Sequence, residues 1–180
     1  MLYRRIVLAL FMPLLFLSCN NKNKTHKEIV ADWSLLKEVN YSVKYPHTWS
    51  LNQTGFQGTS FLIIARQTSI RDFYQENLSL VEEALTDTMD LQSYVKSNVA
   101  MLDKSVERFQ ILEEELKELE GDRFYRLLYV GIESKYKILY EKHYRVKDKQ
   151  AYVTTFACRA MEADRYKPIG RAMLKSFELR

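Results

Sequence analysis

Cysteine is nearly missing from the sequence: Cys19 and Cys158 are the only two in 180 residues. Once Cys19 is assigned to a membrane anchor, Cys158 is the only thiol left, and neither an intramolecular disulfide nor a Cys-based metal site is expected. Histidine is as scarce. His26, His47 and His143 fall in a polar stretch, a turn and a strand, with no His-x-x-x-His or His-Glu-x-x-His spacing, so zinc is not expected. Only 5 glycines occur, and neither a Gly-x-Ser-x-Gly elbow nor a phosphate-binding loop is among their contexts. Nucleophilic and nucleotide chemistry therefore lack their usual frames, and no cofactor is expected.

A long apolar run is missing as well. Ile6 to Leu17 is the longest, shorter than the ~20 residues a spanning helix needs and of the length of a secretory h-region. Arg4 and Arg5 precede it as a positive n-region. At its end stands Leu15-Phe16-Leu17-Ser18-Cys19, read here as a lipoprotein processing site: residues 1–18 are a signal peptide and Cys19 becomes the acylated mature N-terminus. A lipobox usually carries Leu where Phe16 stands; a plain secretory leader and an uncleaved anchor are the alternatives. Each buried CH₂ of acyl chain contributes about 0.8 kcal/mol, and a multiply acylated cysteine, palmitate included, passes the threshold for stable anchoring. The lipid bilayer is thus the first expected partner.

Loss of the leader removes Arg4 and Arg5 and no acidic residue, so the formal charge of +4 falls to +2 and no nucleic-acid partner is implied. Residues 19–32 are the lipidated cysteine and a polar, aperiodic stretch that reads as a linker, averaging roughly 20 Å end to end. Lys22, Lys24 and Lys27 either touch anionic headgroups or keep this tether solvated. No acidic run follows Cys19 of the kind that resembles the surface-export signal of Bacteroidota lipoproteins. The expected location is the periplasmic side of a bacterial envelope membrane, inner or outer.

What is present is the make-up of one domain, residues 33–180, with 47% hydrophobic residues and 13% aromatics. Tyr41, Val43 and Tyr45 alternate with polar residues up to Pro46, and Trp49 is expected to start a return strand paired through a Pro-led turn. Residues 61–66 and 77–81 supply two more strands around a polar loop. Asp90 caps a helix whose apolar stripe is Leu91, Tyr94, Val95, Val99, Leu102 and Val106. The period then changes to two. Four long strands follow, with turns at Gly121-Asp122, near Glu133-Ser134 and at residues 147–150, an antiparallel meander. The run with Phe124, Arg126, Leu128 and Val130 carries Tyr125, Leu127 and Tyr129 on its other side, and is expected to be central, with layers above and below. Tyr166, Ile169, Met173 and Phe177 mark a final helix whose first turn Pro168 kinks or delays. The fold class is α+β, an antiparallel sheet flanked by helices.

The order of several pieces is similar to the PsbP-like superfamily, which includes photosystem II extrinsic subunits and bacterial lipoproteins of the DcrB type. The pieces are Trp33, YSVKYPHTW at 41–49, NLSLV at 77–81, GDRFYRLLY at 121–129, QAYVTTFAC at 150–158 and LKSFELR at 174–180. The resemblance implies an α/β/α sandwich and a non-catalytic accessory or binding role. It carries no fixed active site. Nothing here matches ligands for the metal cluster near the photosynthetic members, so that role is not transferred.

The run Glu113–Glu120 lacks the spacing of a calcium loop and reads as a solvated sheet edge. Lys135, Lys137, Lys142, Arg145, Lys147 and Lys149 are expected on a wet sheet face. Cys158, at the end of an apolar strand, reads as a buried small hydrophobe. Asp87-Thr88-Met89 resembles the three-residue O-glycosylation acceptor of Bacteroidota, making Thr88 a candidate. Tyr45, Trp49, Tyr125, Tyr129 and Tyr140, with Tyr136 and Tyr144, are the candidate aromatic binding surface, against the plainer reading that they are core. Two functions remain: a membrane-anchored accessory protein for an envelope protein partner, or a small-molecule-binding or hydrolytic lipoprotein.

Overall fold

The computed structural model describes residues 32–70, 72–119 and 121–180. The signal segment, Cys19 and the linker up to residue 31 lie outside the described residues.

Asp90 starts the first helix, α1 (Leu91–Ser105), its carboxylate accepting the Ser93 N–H at 2.8 Å. Tyr94, Val95 and Leu102 form its buried stripe, as the three- and four-residue spacing requires. The chain then enters a meander of β6 (Glu107–Leu119), β7 (Asp122–Glu133), β8 (Tyr136–Lys147) and β9 (Gln150–Arg159). Its turns sit where the sequence places them. Gly121 has φ +83°, Ser134 has φ +56°, and Asp148 and Lys149 are both at positive φ, the pair of left-handed residues that a tight hairpin following strand twist needs.

Earlier strands β3 (Ser50–Asn52), β4 (Phe61–Ile64) and β5 (Asn77–Ala84) extend the meander into one seven-stranded antiparallel sheet of order β3-β4-β5-β9-β8-β7-β6. Strands β1 (Trp33–Lys37), β2 (Tyr41–Pro46) and β10 (Glu178–Leu179) form a separate three-stranded sheet, β1-β2-β10. Two expectations change here. Trp49 does not lead a strand that returns along β2: β2 pairs with β1 and β10, whereas β3 pairs with β4 in the other sheet. Burial of the Trp49 indole, edge-on to Tyr166 at 6.3 Å, favours carrying the chain from one sheet to the other. And β7 is second from the edge, not central, β9 being the middle strand. It is apolar on both faces because a layer packs on each.

On one face lie the second helix, α2 (Ala163–Lys175), and the small sheet, burying Phe61, Leu78, Leu80, Phe156, Met173 and Leu174 among others. Pro168 sits within α2, behind a short 3-10 turn at Ala160–Glu162. Gly170 is where α2 meets the sheet: a Cβ there would stand 2.4 Å from the Phe156 ring. On the other face α1 covers Leu127, Tyr129, Tyr144 and Val153. The result is a sandwich of helix, antiparallel sheet and helix.

Candidate functional site

Consecutive residues of a strand point to opposite faces. Along β8 this sends Tyr140, Lys142 and Tyr144 toward α1, and Glu141, His143 and Arg145 toward α2; on β7, Arg126 faces α2 with Phe124 and Leu128. Edge strand β6 adds Glu113 and Glu115, and α2 adds Arg171 and Lys175. Between them opens a cleft of about 770 Å³, lined also by Lys117, Glu118 and Phe124.

Its floor is a buried ion network. The Arg126 guanidinium donates from Nε to Glu141 Oε1 at 2.8 Å, and from Nη1 to Glu113 Oε2 at 2.8 Å and Glu115 Oε1 at 2.7 Å. The second Glu141 oxygen accepts Arg171 Nε at 2.9 Å. Burial disfavours the Glu141 carboxylate, but His143, Arg126 and Arg171 together more than offset it and hold the group well below the usual carboxylate range. Burial likewise opposes charge on Arg126, and its three glutamates overcome it. Glu113 and Glu115 are lowered chiefly by their bonds to Arg126.

His143 is buried and stacked on Phe124, ring centroids 4.6 Å apart. Its Nε2 lies 3.5 Å from Glu141 Oε1, a long contact that still favours the carboxylate, and neither ring nitrogen has a shorter hydrogen-bond partner among the described residues. Burial lowers its pKa, so it is neutral at pH 7. Phe124 also carries Arg145, whose guanidinium lies 4.6 Å from that ring and 5.2 Å from Phe177. Arg145 Nε and Nη2 bond Asp122 at 2.8–3.0 Å. Arg145 is thus buried rather than part of a wet basic face, a correction made by the cation–π column that encloses it. Lys142 is half-buried on the α1 side; Lys135, Lys137, Lys147 and Lys149 are exposed as expected.

Glu113 and Glu115 do belong to a partly solvated edge strand, in the glutamate run read from the sequence. What went unread is that they reach over to Arg126. The available signal was Arg126 itself, a lone charge in the apolar run Phe124–Val130, together with the alternation Glu141, His143, Arg145 on the next strand.

The candidate aromatics do not form one surface. Trp49 (8% exposed) is core on the α2 side, where Tyr45 packs half-buried; Tyr129 (2%) is core on the α1 side. Tyr140 stacks on Tyr129 at 4.8 Å and donates its hydroxyl to Glu133 at 2.8 Å. Tyr144 is wholly buried. Tyr125, its hydroxyl bonded to Glu114 at 2.7 Å, borders an apolar groove of about 490 Å³ between α1 and β6, with Val95, Val99, Phe109 and Ile111. Thr88 is exposed in the turn before α1. Cys158 is buried, and burial with nearby Glu76 pushes its thiol up to about 12. Cys19 lies outside the described residues.

An antiparallel sheet between two helices, with a small second sheet against α2, is the PsbP-like fold, and the chain has that fold. Neither a protein-family model nor a curated protein matches the sequence. Among solved structures, the cyanobacterial PsbP of Synechocystis superposes with a TM-score of 0.62 at 14% identity, over 84% of this chain and 94% of that one. LpqN of Mycobacterium tuberculosis, described as involved in cell envelope biogenesis, gives 0.59 at 11% over 82% and 90%. The yeast Ran-binding protein Mog1p gives 0.57 at 10% over 82% and 95%. Identities this low establish shared fold alone.

Proposed function

We propose that the protein is a non-catalytic accessory protein of a bacterial cell envelope, held at the periplasmic side of a membrane by acylated Cys19, and that it receives a protein partner in the cleft between α2 and β6–β8. The observation that carries this reading is the division of labour in the cleft. Arg126 and Glu141 are locked into the floor, while Glu118 and Lys175 line it without an ion-pair partner among the described residues. A rigid, charge-balanced floor with free charges of both signs suits a partner of mixed charge, whose complementarity sets register and specificity. No Ser, Thr or Cys is among the described residues lining the cleft, and the buried Thr154 opposite His143 turns its hydroxyl toward the His143 carbonyl rather than the ring.

The test is a photo-crosslinker placed at Lys175 in the lipidated protein, with one at Val39 as control. A specific envelope protein captured from Lys175, and lost when Arg171→Glu reverses the cleft charge, is expected; a Lys175 probe that captures no more than the control overturns the reading. Mass spectrometry of the mature N-terminus tests the anchor separately. The small-molecule alternative draws on the same cleft, whose volume is that of a small-ligand site. It gains if charged metabolites raise the melting temperature of the wild type and not of Arg126→Met.

A further inference from the structure

One end of the domain gathers features that the cleft does not use. The described chain begins there: the Asp32 carbonyl accepts the His47 N–H at 3.1 Å and faces His47 Nδ1 at 2.9 Å, and three residues later Ser50 starts β3. Ser50 pairs with Ile64 and Ile64 with Asn77, so the loop between β4 and β5 leaves from this same end. Asn77 pairs with Ala157 and Arg159 with Ile138, which places the 3-10 turn at Ala160–Glu162 and the β7–β8 turn here too.

The loop and the two turns are tied together. Arg159 Nη2 bonds Asp72 at 3.1 Å and Glu162 at 2.5 Å, and Asp72 accepts the Thr68 N–H and hydroxyl. Lys135 Nζ lies 5.6 Å from the Phe73 ring and 5.4 Å from that of Tyr136. From this bonded frame Ile70 (90% exposed), Phe73 (71%) and Met161 (86%) project into solvent, with Arg66, Lys135 and Lys137 exposed around them. Large apolar side chains held outward, with Lys135 over the Phe73 ring, fit a surface that lies in a bilayer interface, where the exposed Glu133 and Asp164 of the same end would stay in water.

We infer that this end of the domain rests on a bilayer with anionic headgroups, with Ile70, Phe73 and Met161 inserted at headgroup depth and Lys135 and Lys137 on the phosphates. The inference rests on the anchored reading above. The described chain begins at Asp32, at the end that carries the apolar triad, so an anchor at Cys19 would bring these side chains, and not the opposite turns, to the lipid.

The test uses the full lipidated chain in vesicles of phosphatidylethanolamine and phosphatidylglycerol. An environment-sensitive dye is attached to Phe73→Cys, Met161→Cys or, in the β8–β9 turn at the far end, Asp148→Cys; Cys158 is buried and takes no label. The dye at residues 73 and 161 should shift to the blue and be quenched several-fold by brominated lipid, while that at 148 keeps its emission in water. Adding Ile70→Glu to the Met161→Cys protein should return its dye to water. Equal quenching at 73 and 148, or a shift at 73 that needs envelope proteins and is absent in pure lipid, overturns the inference. A second label on Cys19 would show that the anchor reading has failed. The dyes are then read on Cys19→Ser protein sedimented with the vesicles, where burial at 73 alone still supports the lipid-facing end and its absence overturns it.

Discussion

On one face of β7 and β8 stand Tyr125, Leu127, Tyr129, Tyr140 and Tyr144; on the other, one residue along, stand Arg126, Leu128, Glu141, His143 and Arg145. The same strands therefore carry two kinds of interior. Tyrosines bury their rings and bring most of their hydroxyls to single carboxylates: Tyr94 to Glu83, Tyr125 to Glu114, Tyr140 to Glu133. Each such bond stands alone, because the burial of a neutral hydroxyl costs little if one partner is found. The ionic face is interlocked. Glu141 is tolerable only because Arg126 and Arg171 hold it, and Arg126 only because three glutamates do. Neutral groups make a face that degrades gradually; buried charges make one that fails as a unit.

The largest expected effect separates the two. Arg126→Ala leaves Glu141 with Arg171 alone and should cost about 3 kcal/mol in urea unfolding, whereas Arg126→Met combined with Glu141→Leu should cost less than either single change. A loss below about 1 kcal/mol for Arg126→Ala would erase the distinction. Next come the helix contacts on each side. In Gly170→Ala the new Cβ meets buried ring atoms of Phe156 at 2.4–2.5 Å; in Gly131→Ala it meets Val106 Cγ1, a side-chain tip that can turn aside. Overpacking of about 1–3 kcal/mol exceeds the helix-propensity gain of about 1, so thermal melts should rank Gly170→Ala as the less stable.

Within the tyrosine face the two outcomes have opposite sign. Tyr94→Phe loses a bonded hydroxyl and about 1 kcal/mol, while Tyr144→Phe removes a buried hydroxyl with no partner among the described residues and is neutral or stabilising. Acid should touch mainly the ionic face. His143 has its pKa lowered from 6.5, so its contribution is complete above that pH and is lost as pH falls toward the folded value. Glu141 and Glu113, lowered from 4.5, contribute above 4.5 and lose that contribution below it. Glu76 runs the other way: burial and Glu162 raise it, so its contribution exists at low pH and disappears as pH rises through its folded value. Unfolding free energy should decline gently from pH 7 to 5 and faster below 4.5, with His143→Gln flattening the first part and the Arg126→Met, Glu141→Leu pair the second. The smallest effect is chemical: iodoacetamide at pH 8 should modify Cys158 only after unfolding, its thiol being buried and pushed up to about 12.

Legibility followed distance along the chain. The meander, its three turns and both helices were readable because period two, period 3.6, the Asp90 cap and the turn residues are local signals. Strands β1 and β10 were not: each is short, and β10 pairs with Ser42 and Tyr41, more than 130 residues away. Trp49 was read as a strand start, which Ser50 nearly is, but its partner strand came out wrong because pairing is not a local property. For the site, the charges were visible and their meeting was not. The glutamate run and the basic cluster were each taken as solvated, although Glu113, Glu115, Arg126 and Arg145 were in plain view.

What the sequence determined by itself is where the chain turns and which residues share a strand face, since backbone stereochemistry and short-range pattern set these. What only the tertiary structure decided is which faces meet. Strand register put Arg126 opposite His143 and within reach of Glu141 diagonally across, and the docking of α2 through Gly170 brought Arg171 to the same carboxylate. The order of the sheets put Ile70, Phe73 and Met161 at the end where the described chain begins. Contacts such as these rest on packing between segments tens of residues apart, where no periodicity reaches.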